Sequence, residues 1–214
     1  MGDVPSVWLA SNSARRSAIL ASRWVNRVDV LSRGIDGTEP RSASDDNLLD
    51  AVQQTCAWKI RTAISQSPST FTVVLASDTL VESPSGGQIL GQPSSIESAK
   101  RMLIELIGKP HRVATCTAWA IPGTSRGVIH ENTQIATIKL LDPGDTWLDA
   151  YLTTGGWCGK AGGYDVGGDF SPWFTIIQGS ILTILGFAVS GLESLEEAFG
   201  IEPNLGKLLS DSLH

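Results

Sequence analysis

The chain has 214 residues, a length that supports one substantial hydrophobic core and predicts a single domain over residues 1–214. Hydrophobic residues make up 42% and charged residues 18% of the sequence, a balance that excludes disorder as the main state. The formal net charge of −6 argues against a protein that coats nucleic acid or anionic membrane by bulk attraction. Any anionic ligand must therefore meet a local basic pocket.

Targeting signals and metal-binding patterns are missing from the sequence. No apolar run approaches the roughly 20 residues that span a bilayer, and the N-terminus lacks the segments of a signal peptide. The three cysteines are widely spaced without a Cys-x-x-Cys pair, and the three histidines have no metal-ligand spacing. We expect a soluble, cytoplasmic protein with reduced cysteines that binds neither nucleic acid nor a membrane.

Strand-like runs alternate with helical stretches, which is typical of an α/β fold. Strands are expected where apolar and β-branched residues run together, at residues 7–10, 28–31, 71–76, 79–81, 89–90, 111–121 and 128–141. Helices are expected where apolar residues recur at helical spacing, at residues 14–24, 45–65, 96–107 and 145–151, with one or two short helices between 192 and 213. Candidate N-caps are Ser44, Asp45 and Asp46 for the second helix and Ser94 and Ser95 for the third.

The segment that joins the first strand to the first helix is a candidate phosphate site. Ser11 precedes the helix, and Arg15 and Arg16 lie in its first turn. A helix N-terminus favours an anion, and two guanidinium groups can add charge-assisted hydrogen bonds to phosphate oxygens. The alternative is an ordinary capped helix whose arginines are solvated.

Three further charged residues are candidates for the same chemistry. Asp78 directly follows the apolar run at 71–76, where a carboxylate can hold Mg²⁺ or orient a water molecule, unless it merely begins a turn. Lys160 lies between glycines that let the backbone approach a ligand, although an exposed turn is the alternative. Lys59 lies on the second helix, where a lone lysine is usually a solvated surface residue.

Four stretches form an ordered set, at residues 9–16 (LASNSARR), 76–81 with 89–93 (ASDTLV and ILGQP), 108–115 (GKPHRVAT), and 151–155 and 160–164 with 179–186 (YLTTG and KAGGY). This set resembles the Maf family of nucleoside triphosphate pyrophosphatases, whose fold is similar to that of the inosine triphosphate pyrophosphatases. The resemblance implies a mixed twisted sheet flanked by helices, in two lobes around a central cleft.

The resemblance also implies an activity, which is hydrolysis of a nucleoside triphosphate to a monophosphate and pyrophosphate with Mg²⁺ or another divalent cation. Asp78 matches the family's catalytic, metal-binding carboxylate. The residues that match its substrate-binding positions are Ser11, Arg15, Arg16, Lys59, Thr79, Gln92 and Lys160. Arg15 together with Thr79 is similar to the branch that acts on dTTP and UTP, and a homodimer is expected through the same likeness.

Several positions depart from the family pattern. Gly37 stands where a second acidic residue is expected, with Asp36 and Glu39 as candidate replacements. Gln92 replaces a lysine, Gly167 replaces a glutamine that marks specificity, and Gly159 replaces an aspartate. Losing a metal-site carboxylate or a phosphate cation costs transition-state stabilisation.

These departures leave two other interpretations beside an active pyrimidine triphosphate pyrophosphatase. The first is a catalytically weakened nucleotide-binding protein of the same fold that acts through partners, for example in cell-division control. The second, motivated by Gly167, is a pyrophosphatase whose base preference lies outside the pyrimidines.

Overall fold

β-Branched and apolar runs form one mixed sheet of seven strands within the part of the chain that a computed structural model describes, residues 4–39, 47–68, 70–123 and 129–204. The strands are β1 (Ser6–Leu9), β2 (Asp29–Ser32), β3 (Val73–Glu82), β4 (Ile89–Leu90), β5 (Pro110–Ala120), β6 (His130–Leu140) and β7 (Phe174–Gln178). Their order is β2-β1-β3-β5-β6-β7, with β4 paired to β3. The pairs of β1 with β2 and β3 are parallel and all others are antiparallel, so the predicted mixed sheet is confirmed.

The helices pack on this sheet through their apolar faces. They are α1 (Ala14–Arg23), α2 (Leu48–Gln66), α3 (Ile96–Leu106), α4 (Asp145–Thr154), α5 (Ile181–Leu185) and α6 (Val189–Phe199), with a 3₁₀ turn at Ala161–Gly163. Side-chain oxygens of Ser13, Asn47 and Ser95 accept backbone N–H groups at the starts of α1, α2 and α3. The caps predicted at Ser44, Asp45 and Asp46 lie outside the described residues. Among the helices described, none is both long and apolar enough to cross a bilayer.

Most predicted elements are present with ends shifted by a few residues, but the expected end of a strand before Asp78 is wrong. Residues 73–76 of the first predicted run and all of the run at 79–81 belong to one continuous β3, which pairs with β5 from Val74 to Val81. Polar residues inside it bond across the strands, as the Ser77 hydroxyl does by donating to the carbonyl oxygen of Cys116. Predicted strand residues at 128 and helical residues after 204 lie outside the described part.

Two hydrophobic cores lie toward opposite ends of β3 and β5. One contains Leu75 with residues of α1, α5 and α6, and the other contains Val81 with residues of α3 and α4. Between them, Ser77 and Thr79 bond to the hydroxyls of Thr117 and Thr115. A third core packs α2 on the other face of the sheet. The polar belt between the first two cores fits the two-lobed arrangement that the resemblance implies.

A buried ion pair ties the first helix to the last. The guanidinium of Arg23 donates to both carboxylate oxygens of Glu196, and the indole Nε1 of Trp24 donates to Glu196 Oε1 at 2.7 Å. Arg23 is 3% and Glu196 5% exposed, so removing one partner would leave the other charge unpaired away from water.

We therefore expect Glu196→Ala to lower the free energy of unfolding by about 3–5 kcal/mol, because it leaves Arg23 charged and unpaired in the core. Urea unfolding followed by circular dichroism measures this. Glu193→Ala is the control, since Glu193 is exposed on the same helix. Equal effects of the two substitutions would contradict the role of the pair.

A second polar tie joins β5 to the segment after the 3₁₀ turn. His111 is 2% exposed; its Nδ1 lies 3.1 Å from the carbonyl oxygen of Lys109, and its Nε2 lies 3.1 Å from the hydroxyl of Tyr164. A neutral imidazole fits both contacts, with Nδ1–H donating to Lys109 and Nε2 accepting from Tyr164. Burial lowers the pKa of His111 below its ordinary value of 6.5, and burial raises the pKa of Tyr164.

Because the pKa of His111 is lower in the folded protein than in the unfolded chain, the unfolded chain binds a proton more readily. The free energy of unfolding should therefore fall as the pH falls through and below 6.5. The slope contributed by one such group reaches about 1.4 kcal/mol per pH unit between its two pKa values. Urea unfolding between about pH 7.5 and 5.5 measures it. His111→Asn should lose this part of the pH dependence, whereas the same change at exposed His130 should keep it.

Candidate active site

A cleft of about 600 Å³ opens between the first turn of α1, the middle of β3 and the segment around the 3₁₀ turn. This size falls in the range of sites that hold a small ligand. All eight residues singled out in the sequence line it: Ser11, Arg15, Arg16, Lys59, Asp78, Thr79, Gln92 and Lys160.

Both arginines in the first turn of α1 are anchored rather than solvated. Arg15 Nε donates to the carbonyl oxygen of Leu185 at 2.9 Å, and Arg16 Nε donates to that of Gly186 at 3.0 Å. Ser13 caps the helix as the alternative interpretation proposed, but the expectation of solvated arginines is wrong. Two consecutive carbonyl oxygens at the end of α5 therefore hold two consecutive guanidinium groups at the cleft.

The Nη atoms of Arg16 reach hydroxyl groups of β3 and of the segment before α1. Its Nη2 donates to the hydroxyl of Thr79 at 3.1 Å, and its Nη1 lies 3.5 Å from that of Ser11. Burial lowers the pKa of the Arg16 guanidinium, and the nearby Asp78 carboxylate acts in the opposite direction. Arginine remains charged despite such a shift, so Arg16 presents a desolvated cation to the cleft.

Asp78 is a carboxylate buried inside a strand and paired with a cation from α2. Its exposed fraction is 5%, and Lys59 Nζ donates to its Oδ1. The same Nζ lies 2.9 Å from Glu39 Oε2. Lys59 therefore lies between two carboxylates that line the cleft, and the alternative of a solvated surface lysine is wrong.

Glu39, and not Asp36, lies at the cleft. The backbone N–H and carbonyl of Asp36 are bonded to the side chain of Gln66, and Asp36 is exposed away from the cleft lining. Gly37 has a φ of +127°, and a Cβ there would lie 3.3 Å from the Trp58 ring. The backbone at Gly37 thus suits glycine, and an acidic group reaches the cleft two residues later.

One atom of this cluster is available to a cation. Asp78 Oδ2 is buried and has no hydrogen-bond partner in the described residues. Mg²⁺ is commonly held by one or two carboxylates together with substrate phosphates and water, so Asp78 and Glu39 fit such an ion. No group of three or more acidic, histidine or cysteine side chains forms a metal cage within the described ranges.

A third carboxylate was missed by the sequence reasoning. Asp165 Oδ1 accepts from Arg15 Nη1 at 3.1 Å, and its Oδ2 lies 3.2 Å from Lys160 Nζ. The Arg15–Asp165 contact joins residues 150 positions apart in the chain, and no local motif marks it. Lys160, expected beside a ligand or in an exposed turn, lines the cleft and is ion-paired.

Apolar side chains form another part of the cleft lining: Val81, Val113, Tyr164, Val166 and Ile184. Ser11, Arg16, Lys59, Asp78 and Thr79 supply polar lining. A ligand that carries several negative charges and also a flat uncharged group matches this division, because the cations neutralise the former and the apolar surface covers the latter.

Comparisons with known proteins place the chain in a family. The family described as Maf-like protein matches residues 6–199. A dTTP/UTP pyrophosphatase of Fusobacterium nucleatum is 32% identical over 190 residues, covering 88% of this chain and 93% of that protein. A protein of the same name from Cereibacter sphaeroides is 33% identical, with 90% and 94% covered.

Two further comparisons concern a third relative and one solved structure. A dTTP/UTP pyrophosphatase of Pyrococcus furiosus is 31% identical, with 81% of this chain and 90% of that protein covered. The Ham1 protein of Staphylococcus aureus is 11% identical with a TM-score of 0.41, covering 63% of this chain and 71% of that one, which is too low to support an argument. From the match over nearly its whole length, the chain belongs to the Maf-like protein family.

Proposed function

We propose that this chain is a nucleoside triphosphate pyrophosphatase. Water adds to a phosphorus of the α–β anhydride, the bridging P–O bond breaks, and a nucleoside monophosphate and pyrophosphate leave. The observation that carries the proposal is the buried Asp78 carboxylate, which shares one cleft with four cationic side chains of the described chain. The family membership and the names of the relatives support it.

The roles of the site residues follow from their contacts. Arg15, Arg16, Lys59 and Lys160 bind the phosphate oxygens. Arg16 and Lys59, which lie near Asp78, also neutralise the charge that develops as the anhydride breaks. Thr79 and Ser11 orient Arg16, and Asp78 orients the attacking water. The unpartnered Oδ2 of Asp78 would be a ligand for a divalent cation. Gln92 adds an uncharged donor at the exposed rim.

Asp78 and Glu39 would hold a divalent cation, Mg²⁺ or a similar ion. When bound, that ion supplies positive charge to the phosphate oxygens and lowers the pKa of a water molecule that it binds. The substrates that we propose are dTTP, UTP or modified pyrimidine triphosphates, since the relatives carry the name dTTP/UTP pyrophosphatase.

Asp78→Asn should lower the rate of pyrophosphate release from dTTP and UTP by roughly a thousandfold, because the neutral amide neither holds the cation nor orients water as the carboxylate does. Pyrophosphate release from a panel of pyrimidine and purine triphosphates with Mg²⁺ measures this. Asp36→Asn is the matched control, since Asp36 is exposed outside the cleft lining.

Absence of turnover by the folded wild-type protein on every nucleotide would sink the proposal. Tight triphosphate binding without turnover would instead support the weakened nucleotide-binding protein that acts through partners, which the losses at Gly37 and Gln92 favour. A higher kcat/KM for purine triphosphates would support the shifted base preference.

We also propose that Glu39 supplies the second carboxylate that Gly37 lacks. Lys59 Nζ contacts Glu39 and Asp78 together, so the two carboxylates approach within the reach of one cation. Glu39 is half exposed, which lets it turn toward an ion that binds with the substrate.

Glu39→Gln should weaken Mn²⁺ binding about tenfold in the presence of a non-hydrolysable triphosphate, because one anionic ligand is lost. Electron paramagnetic resonance of free and bound Mn²⁺ measures the affinity without turnover. Asp36→Asn should leave it unchanged. The assignment fails if Asp36→Asn weakens Mn²⁺ binding and Glu39→Gln does not.

The organisation of the whole protein is a further proposal. One domain is supported by the single sheet, which carries helices on both faces. A homodimer and a cytoplasmic location remain predictions of the sequence and of the family likeness.

A further inference from the structure

We infer that Asp165 is a positioning residue that holds Arg15 and Lys160 together as one cationic unit of the cleft. The inference rests on the proposed function and deepens it. Arg15 belongs to α1 and Lys160 precedes the 3₁₀ turn, and the Asp165 carboxylate gives one oxygen to each at 3.1 and 3.2 Å. Both cations line the cleft, whereas Asp165 is not among the described residues that line it.

The Asp165 carboxylate offsets the repulsion between two positive charges, those of Arg15 and Lys160, that lie close together. Without an anion between them, the guanidinium and the ammonium repel each other, and their side chains sample separate orientations. The three side chains are each about three-quarters buried, with exposed fractions of 25%, 22% and 25%, so solvent screens this repulsion less than on an open surface.

The backbone around Asp165 leaves room for this arrangement. The N–H of Gly167 donates to Asp165 Oδ1 at 3.2 Å. A Cβ at Gly167 would lie 3.1 Å from Leu185 Cδ2 and 3.5 Å from Arg15 Cδ, and one at Gly168 would lie 3.2 Å from Asp165 Oδ2. The absence of a side chain at Gly167 is therefore linked in space to the Arg15–Asp165 pair.

Arg15 and Lys160 still have N–H groups that can donate to a ligand. Arg15 uses Nε on Leu185 and Nη1 on Asp165, and its Nη2 has no hydrogen bond within the described residues. Lys160 Nζ has Asp165 as its one ion-pair partner there. Asp165 thus fixes the plane of the guanidinium and the place of the ammonium while both still face the nucleotide.

The test is Asp165→Asn, which keeps the shape and removes the charge. We expect KM for dTTP or UTP to rise about tenfold with kcat changed less than about threefold, because binding groups are misplaced while Asp78 is untouched. Asp169→Asn is the matched control, since exposed Asp169 forms no ion pair with Arg15 or Lys160 in the described chain. An unchanged or lower KM in Asp165→Asn overturns the inference.

A double-mutant cycle separates positioning from a general structural role. In the background of Lys160→Gln, Asp165→Asn should raise KM by a clearly smaller factor than in the wild-type protein, since it acts through that lysine. If Asp165→Asn raised KM by the same factor in both backgrounds and lowered the thermal stability of both equally, Asp165 would have a role in folding alone.

The reaction rate of a cysteine near Lys160 tests the inference without any nucleotide, and therefore independently of the proposed function. Cys158 is exposed at the cleft two residues before Lys160, whereas Cys56 and Cys116 are buried, so an aromatic disulfide reagent reports Cys158 in the folded protein. Asp165→Asn should speed its reaction several-fold, because the segment loses its tie to α1. An unchanged rate would overturn the inference even if the protein hydrolyses nucleotides, and a faster rate would support it even if hydrolysis fails.

Discussion

The burial of one carboxylate inside a strand sets the conditions for the rest of this structure. Asp78 is nearly inaccessible, and an unpaired charge in such a place costs several kcal/mol, so a cation must reach it. Lys59 does so from α2, on the far side of the sheet from Arg16, and it contacts Glu39 as well. The strand, the helix behind it and the loop before it are thereby drawn to one point.

The cleft pairs each of its cations with an acceptor on the protein. Lys59 contacts Asp78 and Glu39, Lys160 contacts Asp165, and Arg15 and Arg16 contact backbone carbonyls of the α5 end. Each guanidinium is thus held at Nε by a carbonyl oxygen, while its Nη atoms reach other groups, Asp165 for Arg15 and Thr79 for Arg16. Lysine has a single donor group and cannot divide its contacts in this way, so Lys is not a conservative replacement for either arginine.

Short sequence patterns predicted those site residues that lie in or next to a recognisable strand or helix. Ser11 with the two arginines, and Asp78 after an apolar run, were found because each lies within a few residues of a strand. The five-residue β7 and α5 were missed, since neither is long enough to show a period and β7 is largely exposed. Asp165 and the carbonyls of Leu185 and Gly186 could not be found this way, because they meet the arginines only through long-range folding.

The two arginines and their carbonyl acceptors are far apart in the sequence, and this separation matters while the ribosome is still synthesising the chain. Arg15 and Arg16 emerge from the ribosome early, but their partners Leu185 and Gly186 follow 170 residues later. A nascent chain that already contains α1, α2 and β3 therefore carries Arg15 and Arg16 without the two carbonyl oxygens that hold their Nε atoms. Such a fragment lacks part of the triphosphate site, which assembles only after the segment that contains Leu185 and Gly186 has been synthesised.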